Sequence, residues 1–214
     1  MPVITQISEQ KRRENRRNIF LDGVFAFGCN INVVARFKLR EGMKLSDEQV
    51  RAIQLGAVKQ ECFDKAMRYL QTRLHSRSEL QKKLKRQEWG DAVIDAVLED
   101  LTRMQYLDDA RFAKTKALSA AEHKKHGRRR AFVELIKSGV KGDIATRALE
   151  DVYEPRDSTR VARELAMKQR ARLIKLDPLV ARRRLFGMLQ RRGFEYDEIR
   201  PVIDDVLGRG HDAE

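Results

Sequence analysis

Cysteine, proline and long apolar runs are all in short supply here, and each shortage removes a class of protein. Only two cysteines occur, Cys29 and Cys62. Their spacing makes neither a metal-ligand pair nor a disulfide framework, so both are expected to be reduced and the protein cytoplasmic. Four prolines and twelve glycines leave little room for long structureless segments. No apolar run approaches the ~18 residues of a membrane span, and MPVITQISEQKRRENRR lacks the apolar centre of a signal peptide, so no membrane partner is expected. Catalytic signatures are missing too. There is no Gly-Lys dipeptide and hence no Walker A loop, and no HExxH, GxSxG or paired-cysteine motif. Phosphodiester hydrolysis would need clustered carboxylates to hold a metal. Asp108-Asp109 and Asp204-Asp205 come nearest and read better as a helix cap and a repeat signature. A non-enzymatic protein without cofactor or metal is expected.

Charge, by contrast, is abundant. Charged residues make up 36% of the chain and hydrophobic ones 42%, with a net charge of +13. Such a surplus attracts polyanions, of which nucleic acid is the usual one.

The chain repeats itself. VLEDL (97–101), ALEDV (148–152) and VIDDV (202–206) recur at intervals of about 50 residues. Leu84, Leu135 and Leu189 share one column and Trp89, Val140 and Phe194 another. A third column holds Glu88, Gly139 and Gly193. Each unit reads as three helices. Ser76-x-x-Glu79 resembles a capping box, Asp91 is expected to cap one third helix and Asp143 to cap and start the next, and Asp108 caps a first helix. Gly139 suits the left-handed end of a helix, and Asp177-Pro178 is a favourable opening. The expected fold is mainly α, with tandem three-helix repeats at 51–107, 108–155 and 156–214. No unit is large enough to bury its core well, so the three are expected to stack into an elongated, curved array. Residues 1–50 differ, because the Asp22-Gly23 turn between apolar runs predicts a β-hairpin over 18–27. Val3 to Ile7 suits a further strand, Ile31 to Leu39 a short helix, and Ser46-x-x-Gln49 the cap of a long helix leading into the first repeat.

Position decides what the basic residues are for. The third helices carry acids, such as Asp95, Glu99 and Asp100, which phosphates would repel, so a repressor with a helix reading the major groove is excluded. The second helices carry bases. Arg128, Arg129 and Arg130 align with Arg182, Arg183 and Arg184, with Arg77 at the first column. Arg86, Lys137 and Arg191 lie near helix C-termini, where the helix dipole accounts for them. The triplets are expected near helix N-termini, where a cation opposes the dipole and anion binding gives it a purpose. Successive residues lie ~100° apart around a helix, so one or two arginines per triplet can make contact. In HKKHGRRR (123–130), His123 and His126 lack further ligands for a metal. That cluster is expected to be an anion-binding helix entrance, with Lys124 and Lys125 as secondary contacts.

Ser76-Arg77-Ser78-Glu79-Leu80-x-x-x-Leu84, then Tyr106-Leu107-Asp108-Asp109-x-Arg111-Phe112-Ala113, followed by the repeats, resembles the RecX family of bacterial recombinase modulators. Asn18 to Gly28 and Phe37-Lys38-Leu39-Arg40-Glu41-Gly42 are similar to the N-terminal extension of some members. The resemblance implies a non-enzymatic, monomeric protein that binds the RecA–DNA filament and lowers strand exchange, ATP hydrolysis and co-protease activity. It also implies direct binding of single- and double-stranded DNA. A stand-alone nucleic-acid binder and a helical interaction scaffold also fit the composition, but neither explains the resemblance.

Overall fold

The computed structural model describes residues 1–11, 13–153 and 155–208. Three antiparallel strands, β1 (Ile4–Gln10), β2 (Arg13–Leu21) and β3 (Val24–Asn30), form a sheet in that order. Asp22 and Gly23 join β2 to β3 with φ of 49° and 84°. Positive φ at both turn residues matches the twist of the flanking strands, which is why Asp-Gly marks a tight hairpin. A short helix α1 (Ile31–Arg36) follows.

Helix α2 (Asp47–Thr72) opens on the Ser46–Gln49 capping box, with both reciprocal bonds formed. It is 26 residues long and serves two cores. Near its start Ile53 and Ala57 pack with Ile4, Ile19, Cys29, Val33 and Leu45 from the sheet module. Further along, Cys62 and Ala66 pack with α3 (Arg77–Lys85) and α4 (Asp91–Arg103) through Leu80, Leu84, Ile94 and Leu98. Both cysteines are free and buried. Burial pushes the Cys62 thiol up to about 11, so it behaves as a small apolar residue.

Two further three-helix sets follow. They are α5 (Asp109–Glu122), α6 (Arg128–Lys137) and α7 (Gly142–Glu150), then α8 (Pro155–Leu173), α9 (Pro178–Arg191) and α10 (Tyr196–Leu207). The chain divides into two compact units. One comprises residues 1–75 and 80–107, and the other Ser76–Glu79 with everything from Asp108 onward.

The repeat register reappears as burial. Ile94, Ala145 and Ile199 are fully buried, as are Leu84, Leu135 and Leu189. Each such leucine or isoleucine contributes roughly 1.5–3 kcal/mol. Two expected caps are corrected. The N-cap of α4 is Gly90, not Asp91, and that of α7 is Lys141, so Asp91 and Asp143 lie in first turns. There their charge still complements the helix dipole without receiving an N–H. Asp108 and Asp177 do cap α5 and α9, each accepting two backbone N–H bonds. Gly139 and Gly193 end α6 and α9 with φ of 76° and 88°, and Glu88 holds the same column at 64°.

Candidate nucleic-acid and partner interface

Several third-helix acids have partners inside their own bundles. Asp100 pairs with Lys59 at 2.7 Å and Asp151 with Lys114 at 3.3 Å, while Asp205 takes Arg163. The Lys59 ammonium, hydrogen-bonded to Asp100, holds that carboxyl below its ordinary range. The three carboxylates occupy one repeat column, and each pair joins first helix to third. A second column joins second helix to third: Glu150 lies 3.9 Å from Arg128, and Asp204 pairs with Arg182. Pairs this exposed are worth at most ~1 kcal/mol each. Their larger effect is on the surface charge, because they remove the first arginine of each triplet from the exposed positive field.

The remaining predicted residues divide sharply. Around HKKHGRRR the chain forms a joint between α6 and the end of α9. The Gly127 N–H donates to Arg192 O at 2.8 Å and the Arg129 N–H to Gly193 O at 3.2 Å. The Arg130 guanidinium donates to Arg191 O at 2.9 Å, and Arg192 returns a bond to Lys124 O at 3.1 Å. The approach is so close that a Cβ on Gly127 would sit 2.3 Å from Gly193 O. At the expected helix entrance for anions, the N–H groups of Gly127 and Arg129 thus donate to C-terminal carbonyls of another helix, which carry partial negative charge. At α9 the Asp177 carboxylate takes the Leu179 and Val180 N–H groups, and Arg182–Arg184 sit a turn further in.

A matching joint occurs where Ser76–Glu79 meets the end of α6. Ser76 Oγ donates to Ser138 O and accepts the Glu79 N–H at 3.0 Å. A Cβ on Gly139 would lie 2.2 Å from Ser78 Cβ. Arg77, half-buried, donates its backbone N–H to Asp109 Oδ1 at 2.7 Å.

Glu134 anchors the α6–α9 joint. It accepts Lys124 Nζ at 2.9 Å and lies 3.8 Å from Arg130 Nε. It is also 3.2 Å from His126 Nδ1, but outside hydrogen-bonding geometry, so that buried nitrogen has no bond. Burial lowers the His126 pKa, opposed by Glu134 and helped by Arg130, Lys124 and Arg192. Lys125, at φ 52°, reaches to 3.9 Å from Glu164. Arg129, Arg183 and Arg184 are exposed, with no side-chain bond or ion pair among the described residues. Sequence reasoning missed Arg172, which shares a cleft with Arg184. It stands outside any triplet, and the signal that finds it is the exchange of Glu134 for Met188 in the repeat register.

The chain matches the family model described as the RecX regulatory protein N-terminal domain over residues 2–46. Those of the first, second and third RecX three-helix domains match over 62–101, 108–149 and 157–203. It is 34% identical over 209 residues to regulatory protein RecX of Bacillus subtilis, covering 96% of this chain and 78% of that one. With the Bacillus velezensis protein of the same name, identity is 31% over 216 residues, with the same coverage. A crystal structure of regulatory protein RecX superposes with a TM-score of 0.82 at 24% identity, covering 95% of this chain and all of that one. RecX from Lactobacillus salivarius gives 0.66 at 21% identity, covering 70% of this chain and 96% of the other. From its sheet module through its third helical set, this chain belongs to the RecX family of regulatory proteins.

Proposed function

We propose that this protein regulates RecA without catalysing a reaction, binding the RecA–DNA filament and lowering its strand exchange, ATP hydrolysis and co-protease activity. Family membership along nearly the whole chain carries the reading. The charge arrangement supports it. With third-helix acids paired inside their bundles, Arg129, Arg183 and Arg184 stand as uncompensated cations suited to a polyanionic filament. Arg128, Arg130, Arg182, Lys124, Lys125 and Arg77 then act mainly by holding the helices that present them. The protein works as a cytoplasmic monomer on RecA and on single- and double-stranded DNA. Among the described residues no helix is long and apolar enough to cross a membrane.

The test is the single-stranded-DNA-dependent ATPase of RecA at saturating DNA, titrated with this protein. Inhibition well below one molecule per RecA is the expected outcome, because a filament regulator acts on many protomers at once. Inhibition only once the protein coats the DNA would make it a general nucleic-acid binder.

A further inference from the structure

Between the C-terminal half of α8 and one face of α9 lies a cleft of about 280 Å³. Leu173, Leu176, Leu185 and Met188 line it, with Arg172 and Arg184 beside them and no carboxylate. Neither arginine has a side-chain bond or ion pair among the described residues. The repeat register says what is missing. Arg184 and Met188 occupy the columns of Arg130 and Glu134, and in the second bundle the Glu134 carboxylate balances Lys124 and Arg130. The third bundle keeps the arginine and replaces the carboxylate with a thioether, leaving the cations without an anion.

We propose that this cleft takes an acidic, hydrophobic segment of a protein partner, with a carboxylate between Arg172 and Arg184 and an aliphatic or aromatic side chain among the leucines. The internal counterpart of the missing anion is itself a carboxylate. The lining argues against nucleic acid, because single-stranded bases bind by stacking on aromatic rings and none lines the cleft. Leucine with an adaptable methionine suits a protein side chain. The inference rests on the filament reading and divides its surface: Arg184 serves the protein component, Arg129 and Arg183 the DNA.

The test replaces Met188, or Leu176 in a second variant, with a photoreactive benzoylphenylalanine and irradiates the protein on RecA–single-stranded-DNA filaments. A crosslink to the RecA polypeptide is expected, lost in an Arg172→Glu/Arg184→Glu background. A crosslink to the oligonucleotide overturns the proposal, as does no crosslink from variants that still co-sediment with filaments. If the wild-type protein does not co-sediment, the filament reading itself has failed. The cleft is then tested alone with a fluorescent peptide of alternating aspartate and leucine. Binding to Arg172→Ala/Arg184→Ala should be about tenfold weaker than to Arg129→Ala/Arg183→Ala. Equal binding to both overturns the proposal.

Discussion

At Gly193 the backbone sits at φ 88°, and a Cβ placed there would lie 2.4 Å from the Arg130 amide nitrogen. Two penalties coincide, left-handed backbone strain and a clash with main chain that cannot rotate away. Gly193→Ala should therefore destabilise the protein by roughly 2 kcal/mol or more, read as a lowered urea midpoint. Gly142→Ala is the control, since that position has open space and ordinary φ; equal effects would refute the close-packed joint. The glycine column and the left-handed end of α6 were legible in the sequence because only glycine adopts that conformation without strain. What the glycine packs against was not legible, because a repeat offset carries no record of which unit touches which.

Among the elements, the α6–α9 joint should follow pH through two groups. The folded state lowers the His126 pKa, so the unfolded chain binds its proton more readily. Stability from a neutral His126 is complete above its ordinary value of about 6.5 and falls as pH drops below it. Glu134 responds lower. Burial raises its pKa, but the Lys124 hydrogen bond and the charges of Lys124, His126 and Arg130 outweigh that and leave it depressed. Its contribution is held above the ordinary carboxylate value of about 4.3 and lost as pH falls through the folded one. Melting temperatures at pH 7.5, 6.0 and 5.0 should show His126→Gln losing the upper part of this dependence. An unchanged profile would mean the ring does not titrate in the joint. The helices themselves were readable from caps and periodicity. The caps misjudged, at Asp91 and Asp143, were placed one or two positions off because an acid in the first turn is favourable without being the N-cap.

For the whole molecule, charge patterning is the testable property. Removing Arg129 and Arg183 together by alanine substitution should make DNA binding less steeply dependent on salt. Each phosphate that the protein no longer neutralises reduces the slope of log affinity against log salt by about one. Arg128→Ala/Arg182→Ala should change that slope little, since those side chains face Glu150 and Asp204. An equal change from both sets would return the paired arginines to the interface. The sequence made the sign and concentration of charge plain, and it marked both triplets. It could not separate a paired arginine from an unpaired one, because that depends on which helix face the bundle turns toward its own acids.

Helix α2 has a mechanical consequence. It leaves the sheet module and enters the first three-helix bundle without a break, buried at Ile53 and Ala57 in one core and at Cys62 and Ala66 in the next. At 1.5 Å per residue it is a rod roughly 39 Å long. A flexible linker would let a load on the hairpin dissipate. A rod gripped at both ends carries torque, so whatever turns the sheet turns the first bundle with it.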